Sequence, residues 1–141
     1  MAVQQISVFL ENKPGTLKKM TATLAAHDID IRALSLAETK DFGIARMVLD
    51  DPLSAVNLLK EENFVASLTS VLVIKVNDVS GGLDGLLAHF TEAEVNIEYM
   101  YAFTASEALG AYVVFRVDDV AHAQKLMDEN GMESLDNKDL F

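Results

Sequence analysis

The 141 residues hold twenty-two Asp and Glu against eleven Lys and Arg, a formal charge of −11, which repels nucleic-acid phosphates and anionic lipid heads. There is no cysteine, so disulfides, thiolate nucleophiles and thiolate metal sites are excluded together. The opening residues, Met1-Ala2-Val3-Gln4-Gln5, carry no basic targeting stretch and every apolar run is broken well before membrane length, so a cytoplasmic protein with no nucleic-acid or membrane partner is expected.

Taken in order, Ile6, Val8 and Leu10 alternate with Gln5, Ser7 and Phe9, the period of a strand over residues 3–10. After Pro14 and Gly15, Leu17, Met20 and Leu24 lie at i, i+3 and i+7, one stripe of a helix running to about His27 with Thr16 near its cap. Residues 29–38 and 44–49 alternate again around Thr39-Lys40-Asp41-Phe42-Gly43, which predicts a hairpin. Asp51 before Pro52 starts a second helix with Leu53, Val56 and Leu59 as its stripe. Asn63 ends it, and residues 64–68 read as a short strand.

From Val71 the order begins again. Residues 71–76 form a strand, Leu83, Leu86, Leu87 and Phe90 a helical stripe, and residues 95–103 a long strand. Val8 matches Ile74, Gly15 matches Gly81, Leu17 matches Leu83 and Ile31 matches Ile97 at one offset; Asp50 with Asp118 and Ala55 with Ala123 match at an offset two residues longer. The second hairpin, residues 104–109, absorbs the difference, as loops do. A last strand is expected near residues 132–135, followed by a polar tail whose Leu140 and Phe141 either tuck into a groove or fray. The repeat predicts an α+β chain of two βαββαβ modules, residues 1–69 and 70–141, with antiparallel sheets and helices on one face. Several strands are apolar on both faces, so the face away from the helices needs cover from another module or subunit.

The repeated feature with chemistry in it is the turn from strand to helix, Glu11-Asn12-Lys13-Pro14-Gly15-Thr16-Leu17 and again Asn77-Asp78-Val79-Ser80-Gly81-Gly82-Leu83. It is either a tight turn and no more or a cradle in which helix-start N–H groups meet a small anion. No Gly-Lys-Ser/Thr and no triple-glycine fingerprint follows, so it is not a nucleotide loop. His27, His89 and His122 lack metal-ligand spacing, and the carboxylates at Asp50-Asp51, Glu61-Glu62 and Asp118-Asp119 fall where helix caps and solvated charges belong. Neither loop has the arginine of an acylphosphatase-like site. No nucleophile–base pair, metal cluster or cofactor motif is present, so a non-catalytic protein without cofactor is expected. Tyr99 and Tyr101 are core, interface or pocket residues.

The βαββαβ order, with a loop ending in Pro14-Gly15-Thr16-Leu17 and a second strand opening at Asp30-Ile31, resembles the ACT domain; Ser80-Gly81-Gly82-Leu83 and Asn96-Ile97 give the second half the same likeness. The first half is especially similar to the module of the small regulatory subunit of acetolactate synthase. The resemblance implies a sensor that binds a free amino acid where two ACT modules meet and regulates amino-acid metabolism, as a homodimer; a regulatory subunit acting on a partner biosynthetic enzyme such as acetolactate synthase is the alternative. It assigns ligand binding to Asn12, Pro14, Gly15, Thr16, Leu17, Asp30 and Ile31 in the first half. In the second half it assigns Asp78, Ser80, Gly81, Gly82, Leu83, Asn96 and Ile97, with Tyr99 and Tyr101 at the interface. Asn12 and Asp78 orient the ligand in this reading, and Asp30 or Asn96 meets its ammonium from the neighbouring module. Asp78 repels a carboxylate, so the second loop binds in another orientation, takes a cationic ligand or does not bind.

Overall fold

In the computed structural model, which describes residues 2–104 and 110–141, the chain divides into two units, one of Gln4–Thr69 with Phe141 and one of Ser70–Leu140 with the first residues through Val3. The first carries β1 (Val3–Glu11), α1 (Thr16–Ala26), β2 (Ile31–Glu38), β3 (Phe42–Leu49), α2 (Pro52–Glu61) and the start of β4 (Val65–Val76). The second uses the rest of β4, then α3 (Gly82–Glu92), β5 (Ile97–Thr104), β6 (Ala111–Val117), α4 (Val120–Glu129), β7 (Ser134–Leu135) and α5 (Asn137–Leu140). The strand order is β2-β3-β1-β4 in the first module and β5-β6-β4-β7 in the second. Each is a ferredoxin-like βαββαβ unit. No helix among the described residues is long and apolar enough to cross a membrane.

Alternation decides which face of each sheet is covered. In the first module Ile6 pairs with Met47 and Val8 with Ala45, and this face packs on Met20 and Leu24 of α1 and Val56 and Leu59 of α2. In the second, Leu72 pairs with Phe115 and Ile74 with Val113, under Leu86 and Phe90 of α3 and Ala123 and Met127 of α4. Phe90 meets Phe115 edge to face with ring centroids 5.3 Å apart, a favoured aromatic geometry. Each fully buried Leu, Ile, Val or Phe contributes about 1.5–3 kcal/mol. On the face away from the helices, Val73, Tyr112 and Val114 are buried, whereas Phe9 is 51% exposed.

A repeated carboxylate fixes where β2 and β5 begin. The Asp30 N–H donates to Asp50 Oδ1 at 3.1 Å and the Asp50 N–H to the Asp30 carbonyl at 3.2 Å. Asn96 and Asp118 repeat both bonds at 3.1 Å. The next residue in each case caps a helix: Asp51 accepts from the Ser54 N–H and Asp119 from the His122 N–H.

Four expectations change. The separate strands at residues 64–68 and 71–76 are one strand, because Thr69 and Ser70 between them lack the glycine or proline that would turn the chain. The first hairpin loop is shorter than expected: β3 starts at Phe42, and Gly43 is buried opposite Leu10. The polar tail folds into α5, since the Asp136 side chain accepts from the N–H groups of Lys138 and Asp139 at 2.9 and 3.2 Å, and Leu140 is buried. Thr104 ends β5, while the rest of the second hairpin loop lies outside the described residues.

Phe90→Ala removes the ring that joins α3 to β6 and is expected to lower stability by about 3–5 kcal/mol. Urea unfolding followed by circular dichroism checks this as a fall in midpoint with little change in slope.

Candidate functional site

The strand-to-helix crossings are built on glycine. Gly15 stands at the N-cap of α1 with φ 92° and Gly81 at that of α3 with φ 85°, a region L side chains avoid. Having no side chain, neither residue caps its helix, and among the described residues no side-chain cap bond is made at either start. In α1 the first-turn N–H groups thus stay available to a ligand, whereas in α3 the Gly82 N–H is already given to the Val79 carbonyl at 3.0 Å, which leaves those of Leu83 and Asp84. Thr16, expected near the cap, is the first helical residue, and its Oγ1 lies 2.8 Å from the Glu11 carbonyl and 3.1 Å from that of Lys13. The hydroxyl ties down the turn instead of capping the helix.

Beside the first crossing lies a cavity of about 320 Å3 lined by Leu10, Leu17, Leu36 and Gly43 together with Glu11, Asn12, Lys13, Thr16 and Glu38. Asn12 is committed on two sides: its N–H donates to the Asp41 carbonyl at 3.0 Å and its Nδ2 to Glu38 Oε2 at 3.2 Å. Lys13 Nζ sits 2.8 Å from Glu11 Oε2. The hydrogen bond from Lys13, reinforced by its charge, holds the Glu11 carboxyl below the usual carboxylate range. Gly43 leaves room for the Leu36 side chain; a methyl group added there would lie 3.3 Å from Leu36 Cδ1.

The second crossing opens on a different side of its module. A cavity of about 580 Å3 is lined by Ser80, Gly81 and Gly82 of the loop, Gly85 and His89 of α3, and Lys75 and Glu133, with Gly131 and Met132 in the turn before β7. Lys75 Nζ is 3.7 Å from Glu133 Oε2. At Gly82 a Cβ would overlap the Asn77 carbonyl oxygen, so this glycine is required by the turn. At Gly85 an added Cβ meets nothing within 4 Å.

The structure therefore gathers Asn12, Thr16 and Leu17 at one cavity and Ser80, Gly81 and Gly82 at the other. Pro14, Gly15, Asp78 and Leu83 belong to the same turns but do not line them. Asp30 and Ile31 lie at the far end of their module: β1 and β2 are both antiparallel to β3, so β2 starts where β1 starts. Asn96 and Ile97 are placed alike in the second module, with the amide and carbonyl of Asn96 held by Asp118. Tyr99 and Tyr101 oppose Arg116 and Val114 on the face away from the helices, outside both cavities.

Sequence reasoning missed Leu36, Glu38 and Gly43 at the first cavity and Lys75, His89 and Glu133 at the second. A glycine inside an apolar strand pattern was a signal for Gly43, and the spacing of Gly82, Gly85 and His89 along one helix face was a signal for His89. The other two histidines bond backbone carbonyls, His27 to Thr23 at 3.2 Å and His122 to Ala93 at 3.0 Å.

Compared with known proteins, the chain matches the model of the ACT domain pair over residues 1–141. Its structure is similar to that of protein BT0572 from Bacteroides thetaiotaomicron, with 36% sequence identity, a TM-score of 0.93 and coverage of 99% of this chain and 96% of that one. It is also similar in fold to the regulatory subunits of aspartate kinase from Thermus thermophilus, at 14% identity, TM-score 0.63 and coverage of 89% and 88%, and from Thermus flavus, at 15% identity, TM-score 0.61 and coverage of 89% and 90%. No curated protein matches it.

Two glycines at the start of α3 should respond with opposite signs. Gly82→Ala forces the overlap with Asn77 and is expected to cost about 1–3 kcal/mol, whereas Gly85→Ala lowers the helix cost of glycine and should add about 0.5–1 kcal/mol. Melting temperatures of the two variants measured side by side test this.

Proposed function

The chain belongs to the ACT family, as a pair of ACT domains, and on that premise we propose that it is a non-catalytic sensor that binds a free amino acid and regulates amino-acid metabolism as a homodimer. The observation that carries the reading is the uncapped start of α1 beside a cavity lined by leucines and by the carboxylates of Glu11 and Glu38. A free amino acid presents a carboxylate, an ammonium and a side chain. The helix-start N–H groups suit the first, favoured further by the helix dipole. Glu38 suits the second, since accepting from Asn12 leaves it further lone pairs. Leu17 and Leu36 suit an apolar side chain. At about 320 Å3 the cavity is near the lower end of the usual range for small-molecule sites.

The second cavity offers a helix start without a side-chain cap, whose Gly82 N–H is already held by the Val79 carbonyl, and a different lining, in which Lys75 and Glu133 supply one charge of each sign. Asp78, expected to repel a carboxylate, is not among its lining residues, which favours a second zwitterion site over none. Regulation requires that the ligand favour one arrangement of the protein over another, because equal affinity for both shifts nothing. A regulatory subunit of a biosynthetic enzyme such as acetolactate synthase is the same sensor with its output carried by contact.

A thermal-shift screen against the common amino acids is expected to single out one ligand, because binding to the folded state alone raises the melting point. In titration calorimetry Leu36→Arg, on an exposed strand position, should weaken that ligand about tenfold or more by filling the first cavity, with little loss of stability. Failure of every amino acid to shift the melting point overturns the sensor reading; a hit that Leu36→Arg leaves intact moves the ligand to the second cavity.

A further inference from the structure

The repeat supplies its own comparison for the second cavity. Gly85 is the counterpart of Lys19, each standing one turn past the N-cap glycine of its helix. Met132 is the counterpart of Phe64: the Phe64 N–H donates to the Leu59 carbonyl at 2.9 Å and the Met132 N–H to that of Met127 at 3.0 Å, each just after a residue at positive φ, Asn63 or Gly131. In the first module this place is filled, because Lys19 Nζ lies 5.8 Å from the centroid of the Phe64 ring, a cation–π contact. In the second module both side chains are cut back, and Gly85 and Met132 line the cavity of about 580 Å3. A Cβ on Gly85 would meet nothing within 4 Å, so packing does not require the glycine, and glycine inside a helix costs stability. Its effect is to leave the cavity open. We propose that this cavity takes the ammonium end of an aliphatic amine, the group that Lys19 supplies from within the first module.

The lining suits that group at both ends. Val76, Leu86 and Met132 offer apolar surface to a methylene stem, the use that buried lysine stems make of such surface. Glu133, standing where the first module has Val65, offers a carboxylate. Its ion pair with Lys75 is long, at 3.7 Å against about 2.7–2.9 Å for a charge-assisted hydrogen bond, and a carboxylate has lone pairs for a second cation. An anion is served less well, since the Gly82 N–H is given to the Val79 carbonyl and Asp84 stands in the first turn of α3. The distribution of charge points the same way. Residues 1–69 hold seven Lys and Arg against nine Asp and Glu, and residues 70–141 hold four against thirteen, so the second module carries −9 of the −11 and draws cations toward itself.

The proposal deepens the reading of the second cavity as a zwitterion site and rests on it only in treating the cavity as a binding site. Of the two charged halves it makes the ammonium the one recognised.

Titration calorimetry with cadaverine, its neutral counterpart pentanediol and free lysine tests it. Cadaverine is expected to bind, and the diol to bind about tenfold more weakly or worse. Gly85→Lys puts back the side chain that the first module has and should weaken cadaverine about tenfold or more. Ala88→Lys adds the same charge at an exposed position of α3 outside the cavity and should leave the affinity within about twofold of the parent. Glu133→Gln should weaken cadaverine about three- to tenfold. Circular dichroism checks that each variant is folded; should Gly85→Lys not fold, Glu133→Gln decides. If cadaverine fails to bind while lysine binds and loses affinity with Gly85→Lys, the amine proposal is overturned and the zwitterion site stands. Cadaverine that responds to Gly85→Lys no more than to Ala88→Lys, or a diol that binds equally well, also overturns it. Binding of neither amine overturns both readings of this cavity and leaves the first cavity to be judged by its own titration.

Discussion

Each module depends on one crossing, in which a strand at the heart of the sheet must leave it and become a helix covering that same sheet. Residues 12–15 make the crossing from β1 to α1 and residues 77–81 that from β4 to α3. Reversal over so short a length puts Gly15 and Gly81 at positive φ, where any other residue is strained. A helix whose N-cap is glycine cannot satisfy its first N–H groups from that residue. The atoms that close the hydrophobic core are therefore the atoms that leave donors for a ligand. In this account binding capacity is a consequence of how the fold is closed.

What surrounds the crossings differs between the modules, and that difference separates their chemistry. In the first, the Asn12–Glu38 bond ties the loop to the end of β2, and Leu36 lines the cavity beside it. At the matching place in β5 the residue is Ala102, and the second cavity opens instead toward the turn before β7, where Lys75 faces Glu133. Each site carries a lysine already near a carboxylate, Lys13 with Glu11 and Lys75 with Glu133. In a chain of charge −11, these local pairs keep an anionic group from meeting only negative surface.

Much of the fold was legible because it rests on short-range pattern. The alternation of Ile6, Val8 and Leu10, the stripe of Leu17, Met20 and Leu24, and the recurrence of both beyond Val71 were enough to give two modules, their element order and the helix-covered faces. The paired aspartates were read as caps or solvated charges; Asp51 and Asp119 are caps, while Asp50 and Asp118 instead hold the starts of β2 and β5 across the sheet. That role needs a partner twenty or more residues away and leaves no local mark. The continuity of β4 was missed because Thr69 and Ser70 interrupt the hydrophobic run without interrupting the backbone. The site was half legible: its loops stand in the sequence, but Glu38 and Glu133 reach it only through tertiary proximity. Asp30 and Asn96 sit at the opposite end of their strands from the loops they were grouped with.

The central claim is that an amino acid sits on the uncapped start of α1 with its ammonium toward Glu38. A 1H–15N correlation spectrum recorded while the bound amino acid is titrated in tests it most directly, because backbone amides report contact residue by residue. The account predicts that the largest shifts fall on the amides of residues 12–18 and 36–43, with the Leu17 and Lys18 N–H signals moving downfield as they donate to a carboxylate. Shifts centred on Tyr99 and Tyr101, with the first turn of α1 unmoved, would contradict it.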